Sequence, residues 1–81
     1  MAGQRRQQFQ TGYDRHQLIV ASDTVNLVEP MYVYCLTAGT CQVVDQDDVV
    51  VGYPMTAGQL LPFLAKRVNT TSTTGTYAGM R

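Results

Sequence analysis

The chain is short of long apolar runs and of charge. No stretch approaches the roughly 18 apolar residues of a membrane helix, so no spanning helix is expected. The first ten residues, MAGQRRQQFQ, contain no apolar h-region and do not read as a secretory signal. Synthesis in a cytoplasm as a soluble protein is the expectation. Charged residues make up 15% of the chain and cancel to a formal net charge of zero, against a usual share of about 25%. A nucleic-acid binder should carry a basic patch. The only adjacent basic pairs are Arg5–Arg6 and Lys66–Arg67, which read as solvated or interfacial rather than as phosphate clamps. Weak, balanced charge also leaves little to keep copies of the chain apart.

The means for catalysis are equally thin. Two cysteines and one distant histidine do not make the four ligands of a zinc site. No phosphate loop, zinc motif or nucleophile elbow appears. Asp45, Asp47 and Asp48 cluster, but without the alternating ligands, central glycine and distal glutamate of a calcium loop, so they read as a solvated turn. His16 would need a nucleophile held in geometry beside it, and so small a fold has little room for a cleft. No enzyme activity, cofactor or metal is expected.

With 81 residues the chain makes one domain. A domain of this size buries only about 60% of the surface its unfolded chain exposes. A single core of this size rarely supplies more than about 3–5 kcal/mol. Support from neighbouring subunits is therefore a physical expectation.

What is present is the punctuation of short strands. Residues 1–13 are polar, rich in Gln and Arg and without periodicity, and read as an N-terminal arm. Phe9 and Tyr13 favour its docking on a partner. Residues 14–81 read as a single β domain. Residues 17–21 and 31–36 are rich in β-branched and aromatic side chains. Thr37, Ala38 and Gly39 read as a three-residue hairpin loop, with Gly39 in the left-handed position and 40–44 as the return strand. Residues 45–48 form a polar turn and 49–53 the next strand, ended by Pro54. Its valines, Val49, Val50 and Val51, suggest burial on both faces or an interface. Thr56, Ala57 and Gly58 make a turn into 59–68, where Pro62 argues against a helix and for an extended strand with an edge or bulge. The Thr-rich 69–74 suits a strand, Gly75 a turn, and 76–80 a final strand. Six to seven short strands at close spacing imply an all-β fold, a small sandwich or barrel, jelly-roll-like.

On the hairpin reading Cys35 faces Cys41, near disulfide reach. Two buried thiols, a cross-strand bridge and a bridge to a neighbouring subunit all remain open. Tyr32, Tyr34, Tyr53 and Phe63 cannot all be deeply buried in one small subunit, and Tyr, Phe and Met favour protein contacts. The candidate interface set is Phe9, Tyr13, Tyr32, Tyr34, Val49, Val50, Val51, Leu60, Leu61 and Phe63.

Three segments resemble a known family. They are ASDTVNL (21–27), MYVYCLTAGTCQVV (31–44) and TAGQLLPFLAKRVNTTSTTG (56–75), the last most strongly. In this order and spacing the chain, from about Leu18 onward, resembles small virion structural proteins of phages and gene-transfer agents, of the head-spike-base or capsid/neck-decoration kind. It departs in its acidic 45–48 turn, where the family has an Asp-Gly turn, and in its cysteine pair. The resemblance implies a virion location, copies of itself and other virion proteins (capsid, spike fibre or neck) as partners, and no catalytic residues. The alternative function is a free-standing binding module for a host glycan or peptide, presenting the aromatics as a platform.

Overall fold

The structure, a computed structural model, describes residues 13–81. Phe9 and the rest of the expected arm before Tyr13 lie outside the described residues. Seven strands follow in order: β1 His16–Leu18, β2 Met31–Thr37, β3 Gly39–Val44, β4 Val50–Met55, β5 Leu60–Ala65, β6 Arg67–Val68 and β7 Thr76–Met80. They form two antiparallel sheets, ordered β1-β7-β2-β5 and β4-β3-β6. This is a small all-β sandwich, as the sequence led us to expect.

Side chains alternate across a strand, and β2 uses that alternation to fill the core. Met31, Val33 and Cys35 are buried while Tyr32 and Tyr34 are half-buried on the other face. From β3 come Cys41 and Val43, and Met55, Leu61, Ala65, Val68 and Tyr77 complete the same cluster. Ile19, Ala21, Tyr53 and Phe63 pack at its margin.

One expected element is corrected. Thr37–Ala38–Gly39 is not a hairpin loop, because β2 and β3 lie in different sheets. The chain turns a corner at Ala38, so the inward row of β2 meets the inward row of β3 across the core rather than beside it. Nor is Gly39 left-handed; that conformation falls to Gly58 and Gly75, with φ of 92° and 84°. At Gly75 the corner is so tight that a Cβ would sit 2.5 Å from the Thr37 carbonyl oxygen.

The expected long strand 59–68 is extended but divided. It ends its pairing in one sheet at Ala65 and begins in the other at Arg67. Tyr32 faces Leu64 and Tyr34 faces Leu60, so β5 bulges opposite Val33, and Pro62 lies in that bulge. A residue without an N–H fits where the ladder is already interrupted.

The Thr-rich segment is a loop rather than a strand. It covers β3 with side-chain oxygens: the Thr40 N–H donates to Thr74 Oγ1 (3.0 Å) and the Gln42 N–H to Thr73 Oγ1 (3.0 Å). Thr74 N–H returns a bond to the Thr40 carbonyl at 2.9 Å. The long connection after β1 likewise covers β6: Ser22 N–H donates to the Val68 carbonyl (2.9 Å) and Leu27 N–H to that of Lys66 (3.0 Å).

Candidate functional site

Among the described residues, the outer edge of β4 has no strand beside it. In an antiparallel ladder, residues that bond to the partner alternate with residues whose peptide groups point away. Asp45 N–H donates to the Val49 carbonyl at 3.1 Å, which sets the phase. With Val44 opposite Val50 and Gln42 opposite Gly52, the peptide groups of Val50, Gly52 and Pro54 point away from β3. Among the described residues nothing bonds to those of Val50 and Gly52. Around this edge Val49, Val50 and Val51 are 52%, 46% and 43% exposed. Burial of the valines on both faces is therefore excluded within one subunit.

The turn that launches β4 is tied together by its own side chains. Asp45 Oδ1 accepts from the N–H groups of Asp47 (2.8 Å) and Val49 (3.0 Å), so this carboxylate is committed to its own backbone. Asp48 takes a left-handed φ of 65° and pairs with Lys66. That hydrogen bond and the Lys66 charge hold the Asp48 carboxyl below its ordinary range. Asp47 is exposed.

The β5 candidates divide by face. Leu61 belongs to the core, and Phe63 packs against it with its ring 5.8 Å from that of Tyr53. Both side chains serve folding within this subunit, Leu61 buried and Phe63 half-buried. Leu60 is 40% exposed. Tyr13 sits 5.5 Å from Tyr32, ring to ring, so the root of the N-terminal segment rests on the outer face of β2. Tyr34 lies on that same half-buried face.

Sequence reasoning missed a second apolar surface. Leu18, Val20, Val25 and Val28 are 69%, 81%, 67% and 90% exposed, all on or beside the connection from β1 to β2. A shallow cleft runs between Val20, Ala21, Val25 and Leu27. These valines are spaced irregularly among polar residues, so no strand or helix period marked them. The only signal was valine in a segment that otherwise reads as turn.

The remaining candidates are accounted for inside the fold. Cys35 and Cys41 are free thiols and fully buried. Cys35 Sγ donates to the Thr37 carbonyl at 3.2 Å. Burial, with a smaller contribution from Cys35, pushes the Cys41 thiol up to about 12, which keeps it protonated and a poor nucleophile. His16 is exposed opposite Met80, whereas Cys35 lies opposite Tyr77, so imidazole and thiols do not come together. Arg67 donates to Asn26 Oδ1 and Asn69 Oδ1, both at 2.9 Å. With Lys66 on Asp48, this basic pair is used to fasten loops.

No protein-family model matches the chain, and no curated protein does. Among solved structures, it is similar to a chain in the structure described as "Capsid of native GTA particle computed with C5 symmetry". The identity is 34%, the match covers 86% of this chain and 84% of that one, and the TM-score is 0.80.

Proposed function

The chain belongs to the family of that gene-transfer-agent (GTA) particle protein, and from this premise we propose that it is a homo-oligomeric component of the particle surface, a spike base or decoration that docks on capsid or neck. Its coarse role is structural and its place is the virion. The observation that carries the finer reading is the β4 edge, unpaired among the described residues, with three exposed valines around it. Such an edge left bare invites uncontrolled pairing, whereas in an assembly it is an adhesive surface. The exposed valines at 20, 25 and 28 supply a second face for a capsid or neck partner. A standard interface buries about 800 Å² on each partner, roughly a sixth of this subunit's 4680 Å².

The mechanism is burial of these apolar surfaces against copies and neighbours, so that subunit stability is gained partly on assembly. Light scattering after size exclusion tests it, with and without reductant. A defined oligomer in both buffers is expected, since both thiols are buried within the subunit. A well-folded monomer in both would remove self-association and leave docking on a preformed capsid to be tested by cosedimentation.

A further inference from the structure

We propose that residues 1–12 of one copy add as a strand to the free edge of β4 in a neighbouring copy, with Arg5 and Arg6 against the 45–48 turn. The inference rests on the self-association reading above and names its contact. The site is a strand edge: the peptide groups of Val50 and Gly52 point away from β3 and, among the described residues, are unpaired. Strand addition satisfies such groups through the backbone and leaves specificity to side chains.

Charge selects the occupant. Residues 1–12 carry Arg5 and Arg6, no acidic residue and no proline. The turn leading into β4 carries Asp45, Asp47 and Asp48. Asp45 is spent on its own backbone and Asp48 on Lys66, whereas Asp47 is exposed. A second β4 is a poorer occupant, since it would bring valines but no positive charge. With the arginines beside the turn, residues 7–10 would run along β4 from Val50 onward.

Reach allows exchange between copies. Tyr13 rests on Tyr32, and the N–H groups of Asp14 and Arg15 both donate to the Arg81 carbonyl, at 2.7 and 2.8 Å. The segment is thus rooted on the four-stranded sheet, while β4 edges the other sheet. Twelve residues extend to about 40 Å, enough to leave one subunit and lie on the next.

The test mixes two full-length chains carrying distinguishable tags, one with Gln8→Cys and one with Val50→Cys, and treats them with a short bis-maleimide. The buried native thiols give little background. A crosslinked band holding both tags is expected from the mixture. A crosslink inside a single chain carrying both substitutions, with none between tags, would overturn exchange between copies. Crosslinking of the Val50→Cys chain to itself would overturn the choice of occupant. An oligomer by light scattering without the mixed crosslink would overturn the arm contact while sparing self-association, and a monomer without it would sink both. Independently, Arg5→Glu with Arg6→Glu should weaken self-association at least tenfold, and Asp47→Lys in the same chain should recover part of the loss. Unchanged association in the Glu variant would overturn the charge pairing.

Discussion

β4 and β5 are both six residues long and both lie at the outer edge of a sheet, yet their apolar residues do different work. In β5, Leu61 and Ala65 are buried and Phe63 packs against the core. Its ladder is broken by a bulge, with Pro62 in the middle. In β4 only Met55 is buried, its ladder with β3 is regular, and Val50 and Val51, on opposite faces, are 46% and 43% exposed. A proline-bearing, bulged edge resists pairing with another chain, whereas a regular, valine-rich one invites it. The contrast is that β5 turns its apolar residues into the subunit's own core, whereas β4 leaves its valines available for the neighbour proposed above.

The contrast is broken first at Leu61. Leu61→Ala should cost about 2–5 kcal/mol of folding stability through lost burial and a residual cavity, read from the urea midpoint. Association, measured on whatever remains folded, should be unchanged. If Leu61→Ala instead dissociated a fully stable subunit, β5 would be an interface strand and the contrast would fail.

The complementary variant is Val50→Lys. A lysine on an edge strand blocks pairing with another chain, and a central interface residue is worth about 2 kcal/mol, roughly 30-fold in the association constant. The folded monomer should change by no more than about 0.5 kcal/mol, as for other surface sites. Sedimentation over a concentration series separates the two effects. An unaltered oligomer would move the contact to the valines at 20, 25 and 28.

Pro62→Val sharpens the comparison from the other side. It gives β5 a backbone donor and a strand-favouring side chain at the position that guards its edge. The stability of the isolated subunit should move by less than about 1 kcal/mol. The expected change is a new, concentration-dependent higher assembly seen by light scattering. If particle size stays constant, the bulge alone guards that edge.

The difference between these edges was partly legible in the sequence. Pro62 announced an edge or bulge on chemical grounds alone, because it removes a donor, and the three valines announced either a buried strand or an interface. The partner of each strand was not legible. Thr37–Ala38–Gly39 between two apolar strands reads the same for a hairpin as for a corner between sheets, since both need a small, flexible link. What decides is the remote Thr-rich loop, whose hydroxyls cover β3 and whose Gly75 lets it press against Thr37. That contact spans nearly half the chain and leaves no local pattern. For the same reason Leu61 and Phe63 read in sequence like the exposed Leu60: which side of a bulged strand faces inward depends on the register, and the register shifts around Pro62.

The smallest effect links the two edges. Asp48 in the turn before β4 pairs with Lys66 just after β5. The hydrogen bond from Lys66, then its charge, lowers the Asp48 carboxyl from its ordinary 3.8. Hydrogen bonds from the Thr71 hydroxyl and N–H do the same for Asp23. A carboxyl whose folded pKa is depressed contributes its stability fully above the unfolded value and loses it as pH falls through the folded one. The urea midpoint should therefore be flat through neutral pH with respect to these groups and decline below about pH 4. Both carboxyls are solvent-exposed, so the decline is shallow. Measured in the Val50→Lys background, where association no longer contributes, Asp48→Asn should flatten part of the acid limb, and Asp23→Asn another part. If Asp48→Asn flattened the limb only in the associating protein, the Asp48–Lys66 pair would act by shaping the β4 turn for a neighbour, and even this tie between the edges would belong to the assembly rather than to the subunit.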